Sequence, residues 1–261
     1  MYATTLALVG ATGGAGTTRT AVELAAVGAR GGRDVAVIDA AFATQGLSEY
    51  VHGRIGTDLT ALVADEAGAS LSAAAYPIAG GGGSGGRDDR GTLSGRADVV
   101  PARAPFERVA RAKTAEAARR LERRIDEAAT AYDAVIVDAS PVASNEAVAA
   151  VTAAESVAAV RPATPHGSDA LQRLHGRVAD VGASVDATVA VSRGIDGEPE
   201  GSAADADVTL PATDPRVAAA PAAATGDGAY PRAVADAYAR LFDTTLEVDF
   251  SEAGLLERIR S

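Results

Sequence analysis

The chain has 261 residues, enough to bury a full core as one large α/β domain or at most two small ones. Hydrophobic residues make up 47% but aromatics only 4%, so the core has to be built from Ala, Val, Leu and Ile; with no cysteine, disulfides and thiolate metal sites are excluded. The net charge of −11 argues against direct nucleic-acid binding, which needs clustered Lys and Arg, and suits a salt-adapted, halophilic-type cytosol in which carboxylates hold water.

In chain order, an apolar run predicts a first strand over 4–9, which breaks into Gly10-Ala11-Thr12-Gly13-Gly14-Ala15-Gly16-Thr17-Thr18. A helix is expected over 18–30, a strand over 34–38 and a helix over 57–64. Residues 79–95 are rich in Gly and Ser and read as a flexible surface loop, not a domain linker, because the alternating pattern resumes after them. A strand over 98–100 and one long charged helix over 106–130 follow; the helix's Arg and Glu residues read as a solvated face. Then come a strand over 134–137, a helix over 145–153, a strand over 156–160, a helix over 167–181 and a strand over 187–191. A mobile loop over 194–206 leads to a strand over 207–210 and a helix over 231–242.

Continuous apolar strands separated by helices predict an α/β fold: a three-layer, doubly wound, mostly parallel sheet with helices on both faces. No internal repeat is visible. The organisation expected is one domain over 1–249 with a short amphipathic tail over 250–261.

The loop after the first strand has the layout of a phosphate cradle. Glycines let the backbone approach an anion closely, and the helix that follows turns its N–H groups and positive dipole end toward it. Thr18 is placed to offer a hydroxyl to Mg²⁺. Yet the loop holds no lysine; Lys113, far downstream, is the only one in the chain. Asp39 ends the second strand and Asp138 ends the strand over 134–137, where carboxylates facing such a loop hold a nucleotide's Mg²⁺ and its water. Two other readings stand at this point. The loop is a Gly-rich turn that binds nothing and Asp138 a helix cap, or Gly10, Gly13 and Gly16 form a Rossmann-type NAD(P) loop with Asp39 on a ribose hydroxyl. The Tyr-x-x-x-Lys pair usual in such reductases is absent, since Val109 stands four residues before Lys113.

Taken together these segments resemble the MinD/ParA family of deviant P-loop ATPases over nearly the whole chain. Thr12-Gly13-Gly14-Ala15-Gly16-Thr17-Thr18 resembles the family's Lys-Gly-Gly-x-Gly-Lys-Thr loop. Val37-Ile38-Asp39-Ala40-Ala41-Phe42 with Gly46-Leu47, and Asp138-Ala139-Ser140-Pro141, resemble its next two motifs. Val160-Arg161-Pro162-Ala163-Thr164-Pro165 resembles a strand end with its proline, and Val189-Ala190-Val191-Ser192-Arg193 the strand ending in a base-contacting Asn-Arg. Leu210-Pro211-Ala212-Thr213-Asp214-Pro215-Arg216-Val217 resembles the segment that closes over the base.

The resemblance implies a site for ATP or ADP with Mg²⁺. Gly13, Gly14, Ala15, Gly16, Thr17 and Thr18 would hold phosphates. Ser192, Arg193, Pro211, Thr213 and Asp214 would hold the base, and Thr18, Asp39 and Asp138 the metal. It also implies departures. Thr12 replaces the lysine that crosses a dimer interface to the partner's phosphates, and Thr17 replaces the lysine that bridges the β- and γ-phosphates. Ala41 stands in place of a water-positioning Asp, and Ser192 in place of an adenine-reading Asn. Arg19 follows Thr18 but, one residue into a helix, it points about 100° away. Arg161 is a weaker substitute cation at a strand tip.

The expectation is therefore a hydrolysis-deficient pseudo-ATPase acting as a regulatory or positioning module. It would form a homodimer, or a heterodimer with a MinD/ParA paralogue. The alternative is a slow ATPase in cell division, chromosome partitioning or protein positioning, with Asp39 and Asp138 in catalysis; a Rossmann-type protein is the remote one. No stretch reaches the roughly 18 apolar residues of a membrane span. A cytoplasmic location is expected. In residues 250–261, Leu255, Leu256 and Ile259 would share a face of a partner-binding or self-docked helix, or the end would fray; two Glu offset two Arg, so membrane contact there would be weak and peripheral. His52, His166 and His175 show no metal-ligand spacing.

Overall fold

The computed structural model describes residues 4–65, 68–78, 93–194, 203 and 205–250. Its strands are β1 (Thr4–Gly10), β2 (Asp34–Asp39), β3 (Tyr76–Pro77), β4 (Arg96–Val100), β5 (Ala134–Ala139), β6 (Ser156–Pro162), β7 (Ala187–Val191) and β8 (Val208–Leu210). The α-helices are α1 (Thr17–Arg30), α2 (Leu59–Ala64), α3 (Phe106–Ala112), α4 (Ala115–Ala131), α5 (Asn145–Ala153), α6 (Pro165–Asp180) and α7 (Ala229–Leu241). The strands form one sheet in the order β3-β4-β2-β5-β1-β6-β7-β8, parallel throughout except for β3.

Strand side chains alternate between the two faces, so each apolar run feeds two cores. Leu6 and Leu8 of β1, Val35 and Val37 of β2 and Ile136 of β5 pack with α1 and α7 on one face. Ala7 and Val9, Ile38, Val135 and Val137 pack on the other face with α2 to α6. Fully buried core burial at roughly 25 cal/mol per Å² of apolar surface drives this three-layer arrangement.

α1 is Ala-rich and buried along most of its length. It starts at Gly16 (φ +94°), a conformation that an L side chain adopts only with strain, and stops at Gly31, whose N–H bonds back to the Val27 and Ala29 carbonyls. One face of α1 lies close to α7: a Cβ at Gly28 would stand 2.7 Å from Cε2 of Tyr238.

Several expected bounds shift by two residues, among them the starts of α2, α7 and β4, and other expectations are corrected. The helix expected over 106–130 is two helices, because the Thr114 hydroxyl accepts the Ala117 N–H (3.2 Å) and opens α4 with its own N-cap. α6 begins at Pro165, two residues earlier than expected, capped by the Thr164 hydroxyl on the Gly167 N–H (3.1 Å). β3 was not expected; two residues, one of them proline, carry no periodic signal, and it pairs antiparallel at the sheet edge. Of the loop expected over 79–95, residues 79–92 lie outside the described residues, and Gly95 is held by its N–H on the Ala29 carbonyl (2.8 Å). Of the loop over 194–206, residues 195–202 and 204 lie outside them, as do residues 251–261 of the tail. The root of the tail is fastened: Phe250 lies between the guanidinium groups of Arg30 (4.8 Å) and Arg232 (4.6 Å).

Candidate phosphate-binding site

The loop after β1 lies at the carboxyl ends of the strands, the crevice where open α/β sheets bind ligands. Gly14 (φ +70°) and Gly16 give the left-handed turns that wrap it, and Ala15 N–H closes it on the Thr12 carbonyl (3.3 Å). Two cavities meet at this loop. The first, about 400 Å³, is lined by Gly10, Thr12, Gly13, Gly14, Ala15, Gly16, Thr17, Thr18 and Arg19, with Ala41, Thr44, Gly46 and Tyr50 on one side and Asp138, Ala139, Ser140 and Pro141 on the other. The second, about 440 Å³, shares Gly14, Ala15, Gly16 and Arg19 and adds Thr20, Val191, Ser192, Arg193, Pro211, Thr213, Pro215 and Tyr230.

The expected residues are therefore brought together around one loop, the phosphate set in the first cavity and most of the base set in the second. Asp214 differs: its carboxylate turns to Arg216, which holds it down to about 2, and its carbonyl accepts from Arg19 (3.1 Å). Thr44, Tyr50 and Tyr230 were not anticipated; they lie in irregular or helical segments that bear no motif.

Asp39 and Asp138 are partners in register on β2 and β5. Only Asp138 lines the cavity. Asp39 lies behind the wall, with Ala41 N–H on Oδ1 (3.0 Å) and Ala102 N–H on Oδ2 (3.2 Å). Burial, then the neighbouring Asp138 charge, pushes Asp39 far above the ordinary carboxylate range, while those N–H groups pull the other way. Burial also raises Asp138, against the Thr18 hydroxyl that favours its charged form. Oδ2 of Asp138 is buried and meets no donor from the described residues. An acceptor oxygen left so, beside a hydroxyl and a phosphate cradle, suits a hard cation such as Mg²⁺, which takes one or two carboxylates and the substrate's own phosphates.

Basic side chains at the two cavities are Arg19 and Arg193. Arg19 turns away from the loop, as its helical position predicts, onto buried Glu23 (2.6 Å) and the carbonyls of Asp214 (3.1 Å), Arg216 (3.3 Å) and Ala219 (3.4 Å). Arg193 reaches from the end of β7 to the Gly14 carbonyl (2.5 Å). Arg161 is fully buried, donates to the Pro162 carbonyl (3.3 Å) and lines neither cavity. Lys113 sits elsewhere, 3.4 Å from buried Glu146.

Fold and site together define a doubly wound α/β protein with a glycine-rich loop at its topological switch. β5 lies between β1 and β2, whereas the Rossmann order 3-2-1-4-5-6 sets β1 beside β2. The fold is that of the MinD/ParA-type P-loop ATPases. The chain is similar to the septum site-determining protein MinD from Pyrococcus horikoshii, complexed with Mg-ADP, at 18% identity, with 99% of each chain covered and a TM-score of 0.69. It is similar to Cyanothece McdA, in an ATP complex, at 16% identity, with 95% of this chain and 99% of that one covered and a TM-score of 0.69. The MinC:MinD cell division complex of Aquifex aeolicus matches at 16% identity, over 95% of this chain and 98% of that one, with a TM-score of 0.69. No protein-family model and no curated protein sequence matches the chain. No helix among the described residues is long and apolar enough to cross a membrane.

Proposed function

We propose that this chain is a nucleotide-binding, MinD/ParA-like protein that has lost most or all ATP hydrolysis and works as a regulatory or positioning module. The observation that carries this reading is the first cavity's lining: loop glycines, a helix N-terminus, Thr18 and Asp138, with threonine at both positions where the family carries lysine. Main-chain N–H groups and the helix dipole favour phosphate there. The Thr18 hydroxyl and the Asp138 carboxylate would hold Mg²⁺, which supplies charge neutralisation to the phosphates when bound.

Phosphoryl transfer is mostly positioning and charge stabilisation, and a single lost electrostatic contact costs on the order of 10²–10³-fold in rate. This chain lacks two such cations and the carboxylate at position 41. A slow ATPase is the second reading, favoured by the retention of Thr18 and Asp138 on the cavity wall. In either case the partner would be a second copy or a MinD/ParA-like paralogue, in the cytoplasm, with only weak peripheral membrane contact through residues 250–261.

A thermal-shift series with ATP, ADP, GTP, NADH and NADPH, with and without Mg²⁺ in high salt, tests the reading. A ligand that binds the folded chain raises its melting temperature by mass action. ATP and ADP with Mg²⁺ should do so. Steady ATP turnover that disappears in Asp138→Asn would favour the slow enzyme, and failure of every nucleotide to shift melting would end both readings.

A further inference from the structure

The loop has no lysine, but one guanidinium of the same chain lies directly on it. Nη2 of Arg193 donates to the Gly14 carbonyl at 2.5 Å. Gly14 belongs to the lining of both cavities, so this contact marks the seam between them. Its left-handed backbone (φ +70°) and missing Cβ leave room there: a Cβ would stand 3.9 Å from Nη2.

The other cation at the seam is committed elsewhere. Arg19 is matched by the fully buried Glu23 carboxylate and binds three carbonyls of the 214–219 segment. The only lysine stands against buried Glu146. Arg193 is exposed and reaches the loop at the Gly14 carbonyl. A guanidinium fork is built for paired phosphate oxygens, which satisfy two of its N–H groups at once and carry the opposite charge. An anion settling on the loop at Gly14 would therefore lie beside this group.

We propose that Arg193 supplies, in cis, the positive charge the loop itself lacks, and that it bears on the phosphate chain of a bound nucleotide at the seam between the cavities, not on the base. This rests on the nucleotide reading above. It makes Arg193 a determinant of how strongly the site distinguishes tri- and diphosphates from the bare nucleoside.

Isothermal titration of the full chain with adenosine, ADP, ATP and inorganic tripolyphosphate separates the outcomes. Arg193→Gln should weaken ATP, ADP and tripolyphosphate by about 10–100-fold and leave adenosine within about threefold, as expected for one lost charge-assisted contact. Arg193→Lys, which keeps the charge without the fork, should keep part of the phosphate preference. The salt dependence of ATP affinity should flatten in Arg193→Gln and persist in Arg193→Lys. Equal losses for adenosine and ATP would overturn the proposal in favour of a base contact. Unchanged affinity for all four ligands would overturn it in favour of a simple clamp on the loop. If the unsubstituted chain binds none of the four, the nucleotide reading falls, and the proposal with it.

Discussion

Arg19 and Glu23 stand one turn apart on α1, with 2.6 Å between Nε and Oε1, and together they tie the helix behind the glycine-rich loop to a segment 200 residues away. Glu23 is fully buried and also accepts the N–H groups of Ala222 (2.9 Å) and Ala223 (2.7 Å). Arg19 completes the link from the other end through the 214–219 carbonyls. The walls of the two cavities are thus held to one helix.

Removing one partner of such a pair leaves a buried charge and two N–H groups unanswered. Glu23→Ala should cost about 3–5 kcal/mol in denaturant unfolding followed by circular dichroism. Glu23→Gln should cost less, because its amide oxygen still accepts an N–H. A loss below about 1 kcal/mol for the alanine variant, within the range of an exposed pair, would show that the link is not structural.

The paired carboxylates at the ends of β2 and β5 make stability depend on pH with a definite sign. Both bind protons more tightly folded than unfolded, Asp39 rising from 3.8 to about 8. The pair therefore holds more protons in the folded chain than in the unfolded one between about pH 4 and pH 8, and its contribution to stability falls across that window as pH rises. The pair should make melting temperature fall with pH over that range at fixed salt, relative to a variant that lacks it. Asp138→Asn should raise it near pH 8 and reduce the slope. A slope that is the same in parent and variant would exclude the pair as its source.

Gly28 lies inside α1, where glycine normally costs about 1 kcal/mol relative to alanine. Here the sign should reverse. A Cβ would stand 2.7 Å from Cε2 of Tyr238 and 2.9 Å from Cγ2 of Val35. Tyr238 is buried and stacked on Phe242 at 4.5 Å between ring centroids, so the ring has little room to give. Gly28→Ala should destabilise by about 1–3 kcal/mol, the usual range for overpacking. A variant as stable as the parent in urea would mean that α1 and α7 pack less tightly than described.

Restoring the missing charge is the most direct probe of the loop. Thr17 opens α1 and lines the first cavity. Thr17→Lys should raise ATP affinity by about 10-fold or more, the effect of one well-placed charge-assisted contact, while affinity for adenosine stays level. Combined with Thr12→Lys it should also raise any ATP turnover. An ATP affinity indifferent to both substitutions would argue that no phosphate rests on this loop.

Much of the layout was legible along the chain because it is written locally. The strand runs, the glycines at 14 and 16, the position of Thr18 and the acids ending β2 and β5 each sit within a few residues of the pattern that reveals them. The break at Thr114 was missed because charged, helix-forming residues continue on both sides of it, and only the cap geometry interrupts them. β3 is too short to have a period.

An α/β sheet with a glycine-rich loop that carries no lysine can be read along the chain, since backbone period and loop composition are properties of neighbouring residues. Packing alone sets Asp138 toward the cavity with Asp39 behind it, places Arg19 on the 214–219 carbonyls, and rests Arg193 on Gly14. Those facts depend on strand register and on contacts between residues as much as 200 positions apart, which the order β2-β5-β1-β6-β7 brings together and which leave no mark on local sequence.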